Sequence, residues 1–206
     1  MATMMRKLIP SPWFAAVLAW ALVVAFGFGV LWRYAAAPGA AAHAPSHWPE
    51  AMSLARARDR ATLVMFVHPE CPCSRASLAD LDNMVRRVPG RVSPLVVVAA
   101  PAGAKPGDGD DALSGLAARL PGVTIFQDIG GVEARRFGAA TSGATLVYDA
   151  AGGLAFEGGI TQSRGHEGDS FGEERIVALL EGRTPDRRDS PVFGCPLAGP
   201  MKESTP

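Results

Sequence analysis

The chain has 206 residues, with 20 Lys and Arg against 20 Asp and Glu and a formal net charge of zero, which argues against a nucleic-acid binder relying on bulk positive charge. An apolar fraction of 48% with only 19% charged residues excludes a disordered or coiled-coil chain. The 23 Gly and 17 Pro require many turns, and three Cys are too few for a disulfide-scaffolded miniprotein.

In chain order, the first element is a membrane signal. Arg6 and Lys7 precede an uncharged run, Trp13 to Trp32, of 20 residues. As a helix this run spans about 30 Å, roughly a bilayer's hydrocarbon core. The positive charges ahead of it favour a cytoplasmic N-terminus for residues 1–12, and Trp13, Trp32 and Tyr34 fit the interfacial positions at its ends. An uncleaved anchor over 13–34 is the reading its length favours. The alternative is a cleaved signal peptide, with a small-residue site at Ala35-Ala36-Ala37 or Ala40-Ala41-Ala42. Both readings put the remainder outside the cytoplasm, in the periplasm of a Gram-negative cell, where disulfides persist.

Residues 35–47 are rich in Ala and Pro without apolar periodicity and are expected to be a tether. A folded domain is expected over 48–182, followed by a Pro-rich tail, 183–206, that carries Cys195. Within the domain, Glu50 to Arg60 reads as a short helix bearing Met52 and Leu54. Ala61 to His68 reads as a strand buried on both faces. Ser74 to Val88 places Leu78, Leu81, Met84, Val85 and Val88 at helical spacing, and Pro89-Gly90 stops it. A strand over 92–100, a helix over 111–120, a strand over 123–127 and a helix over 130–137 follow. Strands over 144–149 and 154–159 flank a hairpin turn, and a helix over 171–180 closes the domain. This order predicts an α/β fold, a mixed central sheet with helices on both faces, behind one N-terminal transmembrane helix.

Such a sheet sets its reactive groups at the carboxyl end of a central strand. The first strand ends at His68, and Cys71-Pro72-Cys73 follows at once. The cysteines are therefore expected where a strand gives way to a helix N-terminus, where free amides and the helix dipole stabilise a thiolate. Pro72 stiffens the loop, and Ser74 is the expected N-cap. His68 and Arg75 stand close enough in sequence to lower a thiol pKa. Glu70 reads as an exposed loop carboxylate, and Asp128 and Glu133 as caps of the short helix near Gly130. The polar loop 158–170, with Arg164, His166, Glu167 and Asp169, has the make-up of a loop that lines a site.

A Cys71–Cys73 disulfide would close a small, strained and easily reduced ring. Cys195 lies in an apolar patch, Val192-Phe193-Gly194-Cys195-Pro196-Leu197, inside the charged tail. If this patch docks over the cysteine loop, Cys195 is a second resolving thiol. It is equally a third soft ligand in the alternative reading, a copper-binding module holding metal through Cys71, Cys73 and His68 or Cys195. Two inert buried cysteines are the bland alternative.

The strand Leu63-Val64-Met65-Phe66, the short loop with Cys71 and Cys73 and the helix after it resemble the thioredoxin-like superfamily over residues 48–182. The additional strand and helix between Val92 and Phe137 make the chain more similar to its TlpA-like and peroxiredoxin-like branch. The strings from His68 to Ser77 and from Val192 to Leu197 resemble bacterial proteins labelled RedB. The resemblance implies a membrane-anchored thiol–disulfide oxidoreductase. Cys71 would be the attacking thiol, Cys73 its local partner and Cys195 a second resolver. Protein thiols and disulfides would be its substrates, and a separate redox partner would supply electrons. No organic cofactor is implied. This chain departs from the family in two places: the spacing is Cys-x-Cys, with Ser74 at the resolving position, and Ala144 stands where the family has a cis-proline. A thiol peroxidase is a further alternative, although the peroxidase motif is missing. A catalytically dead binding scaffold is the last.

Overall fold

The computed structural model describes residues 12–41, 43–49, 53–105 and 111–197. The chain divides into two units, residues 1–37 and 38–206. The first contains helix α1 (Pro12–Ala36), 25 residues with none buried. Its length and composition suffice to cross a membrane.

The second unit is built on a five-stranded sheet in the order β3-β2-β1-β4-β5. β1 (Ala61–Val67) lies at its centre and six of its seven residues are buried, as its continuous apolar sequence requires. It pairs in parallel with β2 (Val92–Ala100), which pairs in parallel with β3 (Thr124–Ile129). On its other side β1 pairs antiparallel with β4 (Ala144–Tyr148), and β4 with β5 (Leu154–Gly158) through a hairpin. Helices α2 (Cys73–Arg87), α3 (Asp111–Ala117), α4 (Val132–Arg136) and α5 (Phe171–Leu180) complete the expected order.

Side chains alternate across β1 and so feed two cores. Leu63, Met65 and Val67 pack with Leu78, Leu81 and Met84 of α2, Leu113 of α3 and Ile176 of α5. Val64 and Phe66 face the opposite layer, with Phe137, Tyr148, Leu54, Val192 and Leu197. Trp48 meets the Phe137 and Tyr148 rings edge-on, at centroid distances of 5.2 and 5.3 Å.

Several boundaries differ from the sequence reading. Residues 53–60 are not helical, and Glu50 to Met52 of the expected helix lie outside the described residues. The segment is held in irregular form by one local and one long-range bond: the Ala57 amide donates to Thr62 Oγ1 at 2.8 Å, and Arg56 donates to the Ala150 carbonyl. α4 starts two residues later than expected because Gly130 and Gly131 have φ of 71° and 68°. Asp128 caps this helix, accepting from the amides of Glu133 and Ala134 at 2.9 and 2.8 Å.

The two segments expected to be loose are docked. From Gly39 on, the expected tether bonds into the domain through Gly39 N to Val192 O, His43 N to Gly138 O and Leu154 N to Ser46 O. Tyr148 donates its hydroxyl to Pro45 O. The tail returns along the end of β5, where Ser190 N donates to Glu157 O and Ser190 Oγ accepts from Gly159 N and donates to Gly159 O. It buries Val192, Phe193 and Leu197, each on the order of 2 kcal/mol of apolar burial. The folded unit thus extends past residue 182 at least to Leu197.

Candidate functional site: a three-cysteine cluster

The site forms where the C-terminal end of β1, the start of α2, the loop before β4 and the tail meet. His68 follows β1, and its amide donates to Ser142 Oγ at 3.0 Å. A tight turn follows, with Cys71 N donating to His68 O and Ser74 N to Cys71 O. Ser74 Oγ donates to His68 O at 2.7 Å and lies 2.9 Å from Ser142 Oγ. Ser142 is held in place by Gly143, whose amide donates to Phe66 O at 2.7 Å in continuation of the β1–β4 pairing.

The tail lies antiparallel to this loop. Ser142 N donates to Cys195 O at 2.8 Å, Leu197 N donates to Ala140 O at 2.9 Å, and Thr141 and Pro196 form a bridge. This brings the Cys195 amide to 3.4 Å from Cys71 Sγ. Close approach explains Gly194, because a Cβ there would collide with the Ser142 carbonyl. Arg164, from the loop after β5, donates to the Gly194 carbonyl and clamps the tail from the other side. All three cysteines are free thiols; Cys71 and Cys73 are buried and Cys195 is half-buried.

The cluster differentiates the three sulfurs. Burial pushes the Cys71 thiol up, but hydrogen bonds from the Cys195 thiol and amide, the Cys73 amide and the Ser142 hydroxyl outweigh it, leaving Cys71 below its ordinary value. Burial raises Cys73, and the Cys71 charge raises it further; the Gly165 amide and the Arg164 charge oppose this. Cys195 is pushed up to about 11, first by its hydrogen bond to Cys71 and then by burial. One thiol with a lowered pKa beside two with raised values is an asymmetry that suits thiol–disulfide exchange.

The other expected residues fall differently. Pro72 occupies the N-cap of α2 and forms no side-chain cap bond. Ser74, expected there, is buried in the first turn and ties the loop to Ser142 instead. The His68 ring accepts from the Glu70 amide at 3.2 Å through Nδ1, so it serves its own loop. Arg75 and Glu70 are exposed. Among the described residues no group of three or more His, Cys, Asp or Glu side chains is arranged to hold a metal ion, so the copper alternative gains no support.

Three contributors escaped the sequence reading. Ser142 is fully buried against the cysteines. Gly194 permits the tail's close approach. Asp80, on the buried face of α2, accepts from the Gly168 amide at 2.8 Å and so holds the loop that carries Arg164 and Gly165. Burial pushes the Asp80 carboxyl up to about 6. The loop's composition was the available signal for its role at the site.

No protein-family model matches the chain, and no curated protein matches it. Solved structures do. An uncharacterized conserved protein from Geobacillus kaustophilus is similar at 22% identity over 81% of this chain and 94% of that one, with a TM-score of 0.57. A hypothetical protein from Sinorhizobium meliloti is similar at 17% identity over 80% and 96%, with a TM-score of 0.56. A secreted Mycobacterium tuberculosis disulfide oxidoreductase aligns at 16% identity over 60% and 81%, with a TM-score of 0.41. Identities this low speak to architecture alone. The mixed sheet, with helices on both faces and the cysteine loop at the end of its central strand, is a thioredoxin-like fold.

Proposed function

We propose that this chain is a membrane-anchored, extracytoplasmic thiol–disulfide oxidoreductase of the TlpA-like, RedB-like kind. Cys71 supplies the thiolate, Cys195 is its disulfide partner and Cys73 is a third thiol that can exchange with them. The observation that carries this reading is the 3.4 Å approach of the Cys195 amide to Cys71 Sγ. A packing cysteine has no need of an amide, a hydroxyl and a second thiol directed at its sulfur. These donors lower the cost of the anion, which is the nucleophile in exchange. Protein thiols and disulfides are the substrates, and a separate redox partner restores the working oxidation state. Membrane anchoring rests on the unburied 25-residue helix α1.

The test is catalysed exchange by the full chain in detergent. A fluorogenic peptide disulfide should be reduced by dithiothreitol faster with the protein than without it. Cys71→Ser should abolish the acceleration while leaving the fold intact by circular dichroism. Equal rates with and without the native chain would reject the reading.

A further inference from the structure

We propose that external thiols enter the oxidised chain at Cys195 Sγ, with Cys71 as the leaving thiolate, so that the docked tail is the point of electron transfer rather than only an internal resolver. This rests on the reading that Cys71 and Cys195 form a disulfide. It reverses the assignment of Cys71 as the atom that meets the partner.

Access is the first argument. Cys71 is 2% exposed and Cys73 7%, whereas Cys195 is half-buried on the outer segment. Exchange requires the incoming sulfur to approach in line with the bond being broken. In the docked state burial closes Cys71 to an incoming sulfur, whereas Cys195 keeps part of its surface open.

The second argument concerns where an extended protein substrate would bind. The backbone of the loop before β4 offers Ser142 N–H and Ala140 C=O, and both are taken by Cys195 O and Leu197 N. The tail thus fills the strand-like seat beside Cys71. A partner in the docked state meets the tail, not the seat.

The third argument is the leaving group. A thiolate leaves faster where fixed donors receive its charge, and in the oxidised chain, where the Cys195 thiol no longer donates, the polarity rests on the donors that stay beside Cys71. The Cys73 amide and the Ser142 hydroxyl remain to receive the departing Cys71 charge. Both hydrogen bonding and access therefore favour the same polarity.

An external thiolate RS⁻ attacks Cys195 Sγ. The R–S–S–Cys195 bond forms, the Cys71–Cys195 bond breaks, and Cys71 leaves with the electron pair. A second external thiol attacks the sulfur of R in the mixed disulfide, releasing RSSR and Cys195, which takes up a proton. Two external thiols are oxidised, one protein disulfide is reduced, and one proton reaches solvent for each Cys71 that stays ionised. The same sequence in reverse oxidises the chain.

The experiment uses reduced glutathione as the probe and the full chain in detergent. The Cys73→Ala variant, which blocks transfer to the third sulfur, is oxidised and exposed to glutathione. Acid quenching, alkylation and peptide mapping by mass spectrometry follow. Glutathione on Cys195 with alkylated Cys71 should exceed the opposite adduct by at least about tenfold. Predominant glutathione on Cys71 with alkylated Cys195 overturns the inference and leaves the exchange activity standing. Absence of any Cys71–Cys195 disulfide at the start overturns the underlying pairing and this inference with it. If the variant does not fold, rapid quenching of the unaltered chain reads the same first adduct: glutathione on Cys195 supports the inference, and glutathione on Cys71 overturns it.

Discussion

The Cys195 amide nitrogen stands 3.4 Å from the Cys71 sulfur, across 124 positions of sequence. The relationship depends on three elements at once. β1 delivers Cys71 to the end of the sheet. The β1–β4 register sets the Ser142 loop beside it. The apolar residues Val192, Phe193 and Leu197 pin the tail over both. Each can be disturbed separately.

Gly194→Ala should loosen the tail. The added methyl meets the Ser142 carbonyl, which is backbone and cannot swing aside. No left-handed φ is involved at Gly194, so the effect isolates the close contact. The expected result is about 1–3 kcal/mol of lost stability and faster alkylation of Cys71 by iodoacetamide. Unchanged labelling would show that the tail does not guard the sulfur.

Ser142→Ala should impair the thiolate and the loop together. It deletes a hydroxyl that bonds Cys71 and accepts from the part-buried His68 amide. The half-titration point of the Cys71 thiolate, followed by ultraviolet absorbance against pH, should rise. Denaturant unfolding should show a loss of about 1–3 kcal/mol for the orphaned amide. A titration that superimposes on that of the native chain would remove Ser142 from the site.

Asp80→Asn should make the fold less sensitive to pH. Burial raises the Asp80 carboxyl to about 6, from an ordinary value of 3.8, against the opposing Gly168 hydrogen bond; Glu173 and Glu167 push it further up and His166 pulls it down. A raised folded value means that Asp80 contributes full stability below about pH 4 and that this is lost as pH rises through about 6. Asparagine keeps an oxygen for the Gly168 amide and cannot ionise. The variant should therefore be about 1–3 kcal/mol more stable than the native chain at pH 7 and above. Parallel stability profiles between pH 4 and 7 would contradict the buried placement.

Much of the fold was legible because its signals are local. β1 is an apolar run broken only by Thr62, β2 carries the apolar run Leu95 to Ala100, and α2 and α5 carry apolar residues at helical spacing, so their positions follow from local pattern. The cysteine loop was legible because Cys71 directly follows a buried strand. Residues 53–60 failed because side-chain bonds to Thr62 and Ala150, not apolar periodicity, fix their path. Ser142 was invisible as a serine among many; its importance comes from strand register, which the segment itself does not encode. The docking of Cys195 was foreshadowed by the apolar patch around it, but its antiparallel seat against 140–142 depends on backbone groups common to every residue.

The pairing of Cys71 with Cys195 is tested most simply by the identity of the disulfide in the mildly oxidised full chain, mapped by mass spectrometry after alkylating the remaining thiol. The expected result is a Cys71–Cys195 bond with Cys73 alkylated. A Cys71–Cys73 bond with Cys195 alkylated, or three alkylated cysteines, would contradict it.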